Sequence, residues 1–135
     1  MANHLSPYIH LDGTAREAME LYRSVFGGEL QMNTFGEFGA PEGVDPGGIM
    51  HAQLETPHGW ILMASDLPPG MPHTPGGTIT VCLHGDDADE LRGFFARLAD
   101  GGTVNVPLEK QMWGDEFGEC VDRFGVGWLV NISGA

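Results

Sequence analysis

Hydrophobic positions in this chain follow one pattern written twice. A short apolar run, Tyr8 to Leu11, is followed by a stripe of Ala18, Leu21, Tyr22 and Val25, then by Gly27-Gly28 and another apolar run. The order returns as Ile79 to Leu83, a stripe of Leu91, Phe94, Phe95 and Leu98, then Gly101-Gly102 and Val104 to Leu108. Both stripes keep the i, i+3, i+4, i+7 spacing of a helix that buries one face. The stripes are offset by 73 residues and the glycine pairs by 74, so one strand-helix-strand unit occurs in two copies. Paired modules commonly build their functional surface jointly, at the cleft between them.

Local signals fill in the elements. Asp12 or Thr14 can cap a helix from about Ala15 to Phe26, which Gly27-Gly28 ends in the positive-φ conformation helices favour. A strand is expected from about Leu30 to Phe35, and the Gly- and Pro-rich stretch Gly36 to Gly48 reads as a loop long enough to edge a site. Ile49 to Glu55 and Trp60 to Ser65 form a hairpin about Thr56-Pro57-His58-Gly59. The prolines between Leu67 and Gly77 resist both helix and central strand and mark a linker. The second helix begins near Asp86, Asp87 and Asp89, whose carboxylates cap it and complement its dipole. Gly118 to Asp122 and Gly127 to Ile132 form a terminal hairpin that turns at Asp122-Arg123-Phe124-Gly125. The expected organisation is one domain over 1–135, with module one at 1–66, a linker at 67–77 and module two at 78–135.

Composition narrows the function classes. At 135 residues and 41% apolar the chain can bury a real core. Nineteen acidic against six basic residues give a formal charge of −13, which opposes binding to polyphosphate backbones and to anionic membranes. No apolar run approaches the roughly 20 residues that span a bilayer. Met1 to Ser6 has neither a basic nor an apolar signal-like segment, so a soluble cytoplasmic protein is expected, without nucleic-acid or membrane partners. Cys82 and Cys120 lie in apolar strand-like contexts and read as reduced core residues rather than a disulfide. There is no phosphate loop, nucleophile elbow or CxxC pair, so nucleotide and triad chemistries lack support.

The order β-α-β-β-β taken twice, with LSPYIHLDG near the start and FGECVDRFGVGWLVNI at the end, resembles the vicinal oxygen chelate superfamily. The resemblance is strongest to its PhnB-like branch and extends over essentially the whole chain. It implies an α+β fold in which two βαβββ modules form a curved mixed eight-stranded sheet around a cavity. It also implies a homodimer. Superfamily members include metal-dependent lyases, isomerases and dioxygenases, fosfomycin-modifying transferases and bleomycin-binding proteins that perform no chemistry. The branch sometimes carries a ubiquinone-methyltransferase label, but a nucleotide-type cofactor fold needs a glycine-rich turn after a first strand. Here Gly27-Gly28 follows a helix, so methyl transfer is not expected.

Metal-dependent members of the superfamily place one His, Glu or Gln ligand on each of four strands. Strand parity turns Ile9 and Leu11 toward the helix and leaves Ser6, Tyr8 and His10 facing the cavity. On the fifth strand Ile79, Val81 and Leu83 face the helix, leaving Thr78, Thr80 and Cys82 toward the cavity. The ligand positions implied by the resemblance then fall on Ser6, Met63, Thr78 and Leu129, which supply no usual quartet. No metal or cofactor is expected. His10 and His51, with Gln53 and Glu55 sharing the parity of His51, are cavity-lining candidates and the only credible atypical ligand set. His58 and His73 in turns, and His4 and His84 at strand edges, read as solvated. Trp113 and Phe117 suit the aromatic wall of a ligand cavity, whereas Trp128 reads as core or dimer contact. Glu119, flanked by Phe117, Gly118 and Cys120, is the best-placed lone carboxylate for acid/base work, and Glu37 and Glu42 read as surface charge. The expected function is a metal-free dimeric protein holding a small aromatic or cationic molecule against Tyr8, His10, His51, Gln53, Trp113, Phe117 and Glu119. The alternative is a metal-dependent lyase, isomerase or dioxygenase using His10, His51 and a carboxylate.

Overall fold

The computed structural model describes residues 3–68 and 78–134. The chain divides into two compact units, Met1–Thr74 and Pro75–Ala135. The first contains β1 (Tyr8–Leu11), α1 (Ala15–Phe26), β2 (Glu29–Thr34), a 3₁₀ turn (Phe35–Phe38), β3 (Ile49–Glu55) and β4 (Ile61–Asp66). The second contains β5 (Val81–Gly85), α2 (Ala88–Ala99), β6 (Thr103–Lys110), β7 (Glu116–Val121) and β8 (Gly127–Ile132). Most of the expected linker, with His73, lies outside the described residues.

Each unit is a βαβββ module with the same topology. The sheet orders are β1-β4-β3-β2 and β5-β8-β7-β6. The pairs β1/β4 and β5/β8 are parallel and the rest antiparallel, so both sheets are mixed and the class is α+β. The helices explain why only one face of each sheet is apolar. In the first unit α1 buries Ala15, Ala18, Met19, Tyr22, Val25 and Phe26, against a sheet face of Leu11, Ala52, Leu54, Leu62 and Ala64. Met19 rather than the expected Leu21 completes this stripe. Leu21 is only half-buried, because the helix presents positions 15, 18, 19, 22, 25 and 26 as one continuous row. In the second unit Leu91, Phe94, Phe95 and Leu98 cover Leu83, Cys120, Trp128, Val130 and Ile132.

The repeated glycine pair has the same physical cause in both copies. Gly27 and Gly101 end their helices with φ of 75° and 78°, where a side chain is strained. A Cβ on Gly28 would fall on the carbonyl oxygen of Glu55, and one on Gly102 on that of Val121. In register, Glu29 pairs with Glu55 and Thr103 with Val121. Each helix thus hands the chain to a strand that starts hard against its neighbour's backbone.

The start of α1 differs from expectation. Thr14 occupies the cap position, but neither its side chain nor that of Asp12 caps the helix. Buried Asp66, at the end of β4, does the work from across the sheet. Its Oδ1 accepts from the Ala15 N–H and its Oδ2 from the Ile49 N–H, both at 2.9 Å, so one carboxylate ties the first turn of α1 to the first residue of β3. In the second unit the expected acidic start holds, since Asp87 accepts from the Glu90 N–H at 3.2 Å. Glu37 is not idle surface charge either. With Thr34 it forms a reciprocal capping box on the 3₁₀ turn.

The fifth strand also starts later than expected, at Val81, because Ile79 precedes the pairing with β8 and stands 85% exposed. Both cysteines are free. Cys120 is core, and burial, then the negative charge of Asp122, pushes its thiol up to about 11. Cys82 is exposed rather than core, because it takes the strand position that alternates with buried Leu83. Iodoacetamide at mildly alkaline pH should therefore modify the native chain once, at Cys82, and reach Cys120 only after denaturation. Intact-mass measurement checks this, and two modifications on the folded protein would place Cys120 within reach of solvent.

Candidate functional site

In each unit the sheet face turned away from the helix carries most of the chemistry. Cross-strand pairing sets out its rows. In the first unit Tyr8 pairs with Met63, Met63 with Gln53 and Gln53 with Gln31. Beside this row His10 pairs with Ser65, and His51 with Asn33. Directly opposed residues share a face, so Tyr8, His10, His51 and Gln53 meet on one surface, as expected. Tyr8 is at its centre. Its ring lies 5.0 Å from that of His10 and 5.7 Å from that of His51, and its hydroxyl is 3.1 Å from His51 Nδ1. Asn33, which the sequence reading passed over, donates its amide to Glu37 Oε2 at 3.2 Å.

The corresponding face of the second unit is more acidic and more aromatic. Cys82 pairs with Leu129, Leu129 with Glu119 and Glu119 with Val106. In the adjacent row His84 pairs with Asn131, Asn131 with Phe117 and Phe117 with Glu109. The turn between β6 and β7 is closed by bonds from the Gln111 N–H to the Asp115 carbonyl (2.7 Å) and from the Gly114 N–H to the Gln111 carbonyl (3.0 Å). Trp113 projects from it, 60% exposed, and meets Phe117 edge to face at 6.3 Å. Asp115 accepts from the Gly134 N–H at 2.8 Å and from the Asn131 amide at 3.1 Å. Those two donors, the Gly134 N–H first, hold its carboxyl below the usual carboxylate range. His84 and Asn131 were missed as members of this face. The antiparallel β7/β8 pairing puts Asn131 beside Phe117, and the parallel β5/β8 pairing puts His84 on the other side of Asn131.

Trp128 lies elsewhere, fully buried on the helix side, so it is core rather than a ligand contact. Its indole N–H donates to Asp122 Oδ2 at 2.9 Å. His58 is not merely solvated, for it stacks on Trp60 at 4.2 Å.

The strand positions at which the resemblance implies metal ligands supply no quartet of His, Glu or Gln donors. Ser6 and Thr78 precede their strands. The residues that pair in the equivalent row are Tyr8 with Met63 and Cys82 with Leu129, which offer a phenol, a thioether, a thiol and a hydrocarbon where hard oxygen or imidazole donors are needed. Among the described residues, His10, His51 and Glu55 are not gathered into a group of three metal-binding side chains.

Comparison with known proteins agrees with the geometry. The family model described as 3-demethylubiquinone-9 3-methyltransferase matches residues 3–131. Protein PA1353 from Pseudomonas aeruginosa is similar in structure, with a TM-score of 0.85 and 35% identity, over 98% of each chain. The PhnB protein from Bacillus cereus follows at a TM-score of 0.76 and 24% identity, over 97% of this chain and 100% of that one. FosX, a fosfomycin resistance protein from Listeria monocytogenes, shares the fold at a TM-score of 0.63 and 12% identity, over 100% and 96% of the two chains. Two βαβββ modules of this topology define the vicinal oxygen chelate fold. Within it, the chain belongs to the family that the 3-demethylubiquinone-9 3-methyltransferase model describes.

Proposed function

We propose that this is a metal-free, dimeric binding protein whose helix-free sheet faces, each within its own unit, hold small aromatic or cationic molecules. The observation that carries the reading is the kind of surface these faces present. One offers Tyr8, His10, His51 and Gln53 as clustered polar and aromatic groups. The other offers the Trp113–Phe117 pair in a neighbourhood of Glu109, Asp115 and Glu119. Aromatic faces beside carboxylates attract organic cations, and the formal charge of −13 acts in the same direction. The one hydroxyl of this set that meets an imidazole is the Tyr8 phenol beside His51, and the paired strand positions supply no quartet of His, Glu or Gln donors. Methyl transfer fits poorly as well. The strand-to-helix turns Asp12-Gly13-Thr14 and Asp86-Asp87 are acidic, and the glycine pairs serve backbone packing instead of a cofactor.

A thermal-shift screen against a panel of cationic and aromatic small molecules tests the reading, together with elemental analysis of protein purified without a metal-affinity tag. A hit should lose about tenfold or more in affinity in Trp113→Ala and in Phe117→Ala, as anchoring aromatics do. It should also weaken in His51→Ala. A panel without hits, or a hit indifferent to all three variants, would overturn the binding reading. One tightly held ion per chain, lost in His51→Ala, would overturn its metal-free part.

A further inference from the structure

The free edges of the two sheets are treated differently. The edge strand β6 carries Pro107, Lys110 and register shifts at Val104/Val106 and Val106/Glu109, devices that discourage another strand from adding on. The edge strands β1 and β5 are short, at four and five residues. Edge strand β2 has one of these only at its far end, a register shift between Asn33 and Thr34. It contains no proline or lysine, keeps regular register with β3 from Glu29 to Asn33, and pairs with no second strand among the described residues. Along it runs a groove of about 470 Å³ lined by Glu20, Arg23 and Ser24 of α1 and by Leu30 and Met32 of β2. Among the described residues the side chains of Glu20 and Arg23 make no ion pair, with each other or with anything else.

We infer that β2 is the dimer contact, pairing antiparallel with β2 of a second copy about a two-fold axis at Gln31. This rests on the dimeric part of the proposed function and is independent of its ligand. Three features argue for a second copy as the occupant. Chains of charge −13 repel one another, so they can meet only where the surface is locally neutral, and this groove carries one acid and one base. A two-fold contact is self-complementary, and Glu20 and Arg23 satisfy it by each pairing with the other residue on the partner. With Gln31 facing its own copy, Leu30 opposes Met32 on the helix side and Glu29 opposes Asn33, so apolar meets apolar and no carboxylates face each other.

Light scattering and sedimentation of the full chain test the inference. The wild type should be a dimer. Arg23→Glu and Glu20→Arg should each weaken it about tenfold or more, since each sets like charges opposed twice, and the double swap E20R/R23E should restore it. The single changes move net charge in opposite directions, so weakening in both is not an effect of overall repulsion. In a Cys82→Ser background, Gln31→Cys should oxidise to a covalent dimer, its Cβ atoms lying about 5 Å apart across the axis. Asn33→Cys should not, being about 13 Å from its copy at the strand rise per residue. A monomeric wild type would overturn both the edge and the dimeric reading. A dimer that tolerates both charge reversals and does not cross-link at position 31 would overturn the edge alone.

Discussion

Gly28→Ala should cost about 3 kcal/mol or more of folding stability, because it forces both a backbone strain and a collision, and Gly102→Ala, whose φ lies outside the left-handed region, should cost about 2 kcal/mol or more from the collision alone. Gly28 has φ of 104°, and a Cβ there meets the Glu55 carbonyl and the Thr56 backbone, atoms that cannot swing aside as a side-chain tip would. Gly102 meets the backbone of Val121 and Asp122 in the same way. The strand after each helix would have to lift away from its neighbour, breaking the first rungs of the β2/β3 or β6/β7 ladder. Gly59→Ala separates the two contributions. It has φ of 82° but open space around it, so it should lose only the left-handed penalty of roughly 1–2 kcal/mol. Urea unfolding followed by far-ultraviolet circular dichroism measures all three. Should Gly28→Ala unfold at the same urea concentration as Gly59→Ala, the close approach would not be the constraint described.

Asp122→Ala should be comparably severe, at about 3–5 kcal/mol, since it strands three donors that its carboxylate satisfies. Asp122 is 3% exposed. Its Oδ1 accepts from the Phe124 N–H at 2.8 Å and the Val126 N–H at 3.1 Å, and its Oδ2 takes the Trp128 indole N–H. The residue therefore folds the β7–β8 turn and anchors the largest core side chain at once. Asp122→Asn keeps one acceptor oxygen for the turn and sets an amide N–H₂ against the indole N–H, so the loss should fall between alanine and wild type. Adding Trp128→Phe removes that orphaned indole donor. In a double-mutant cycle the Asp122→Asn penalty should then shrink, and equal penalties in both backgrounds would mean that the indole contact contributes nothing.

These two sites illustrate what could be read from the residues alone. The helix of Ala15–Phe26 and the strand of Ile49–Glu55 were legible to the residue, because periodic burial and flanking glycines are local signals. The glycine pairs were found by repetition, although they were assigned only to helix endings, since the approach of Gly28 to Glu55 spans a long stretch of chain. Asp66 was invisible for the same reason. Its donors, Ala15 and Ile49, are 51 and 17 residues away, so the nearby Asp12 and Thr14 looked like better caps. The fifth strand was placed early because Ile79 continues the alternation of Val81 and Leu83, and alternation does not reveal where pairing with β8 begins. Parity correctly gathered Tyr8, His10, His51 and Gln53 on one face. It did not reveal that Tyr8 and His51 touch, nor that Asn131 lies between His84 and Phe117, because cross-strand register depends on turns whose geometry is not periodic.

The long loop after β2 is tied at its base rather than along its length. The Phe35 N–H bonds to the Gly48 carbonyl and the Gly36 N–H to the Pro46 carbonyl, both at 3.0 Å, while Pro41, Glu42 and Gly43 at its tip are exposed. Because these rungs close the loop before the tip is reached, extra chain spliced in beside Gly43 adds only a slowly growing closure entropy. It leaves the register of β2 against β3 untouched. For protein engineering, that tip is a natural port for a peptide tag or a reporter dye.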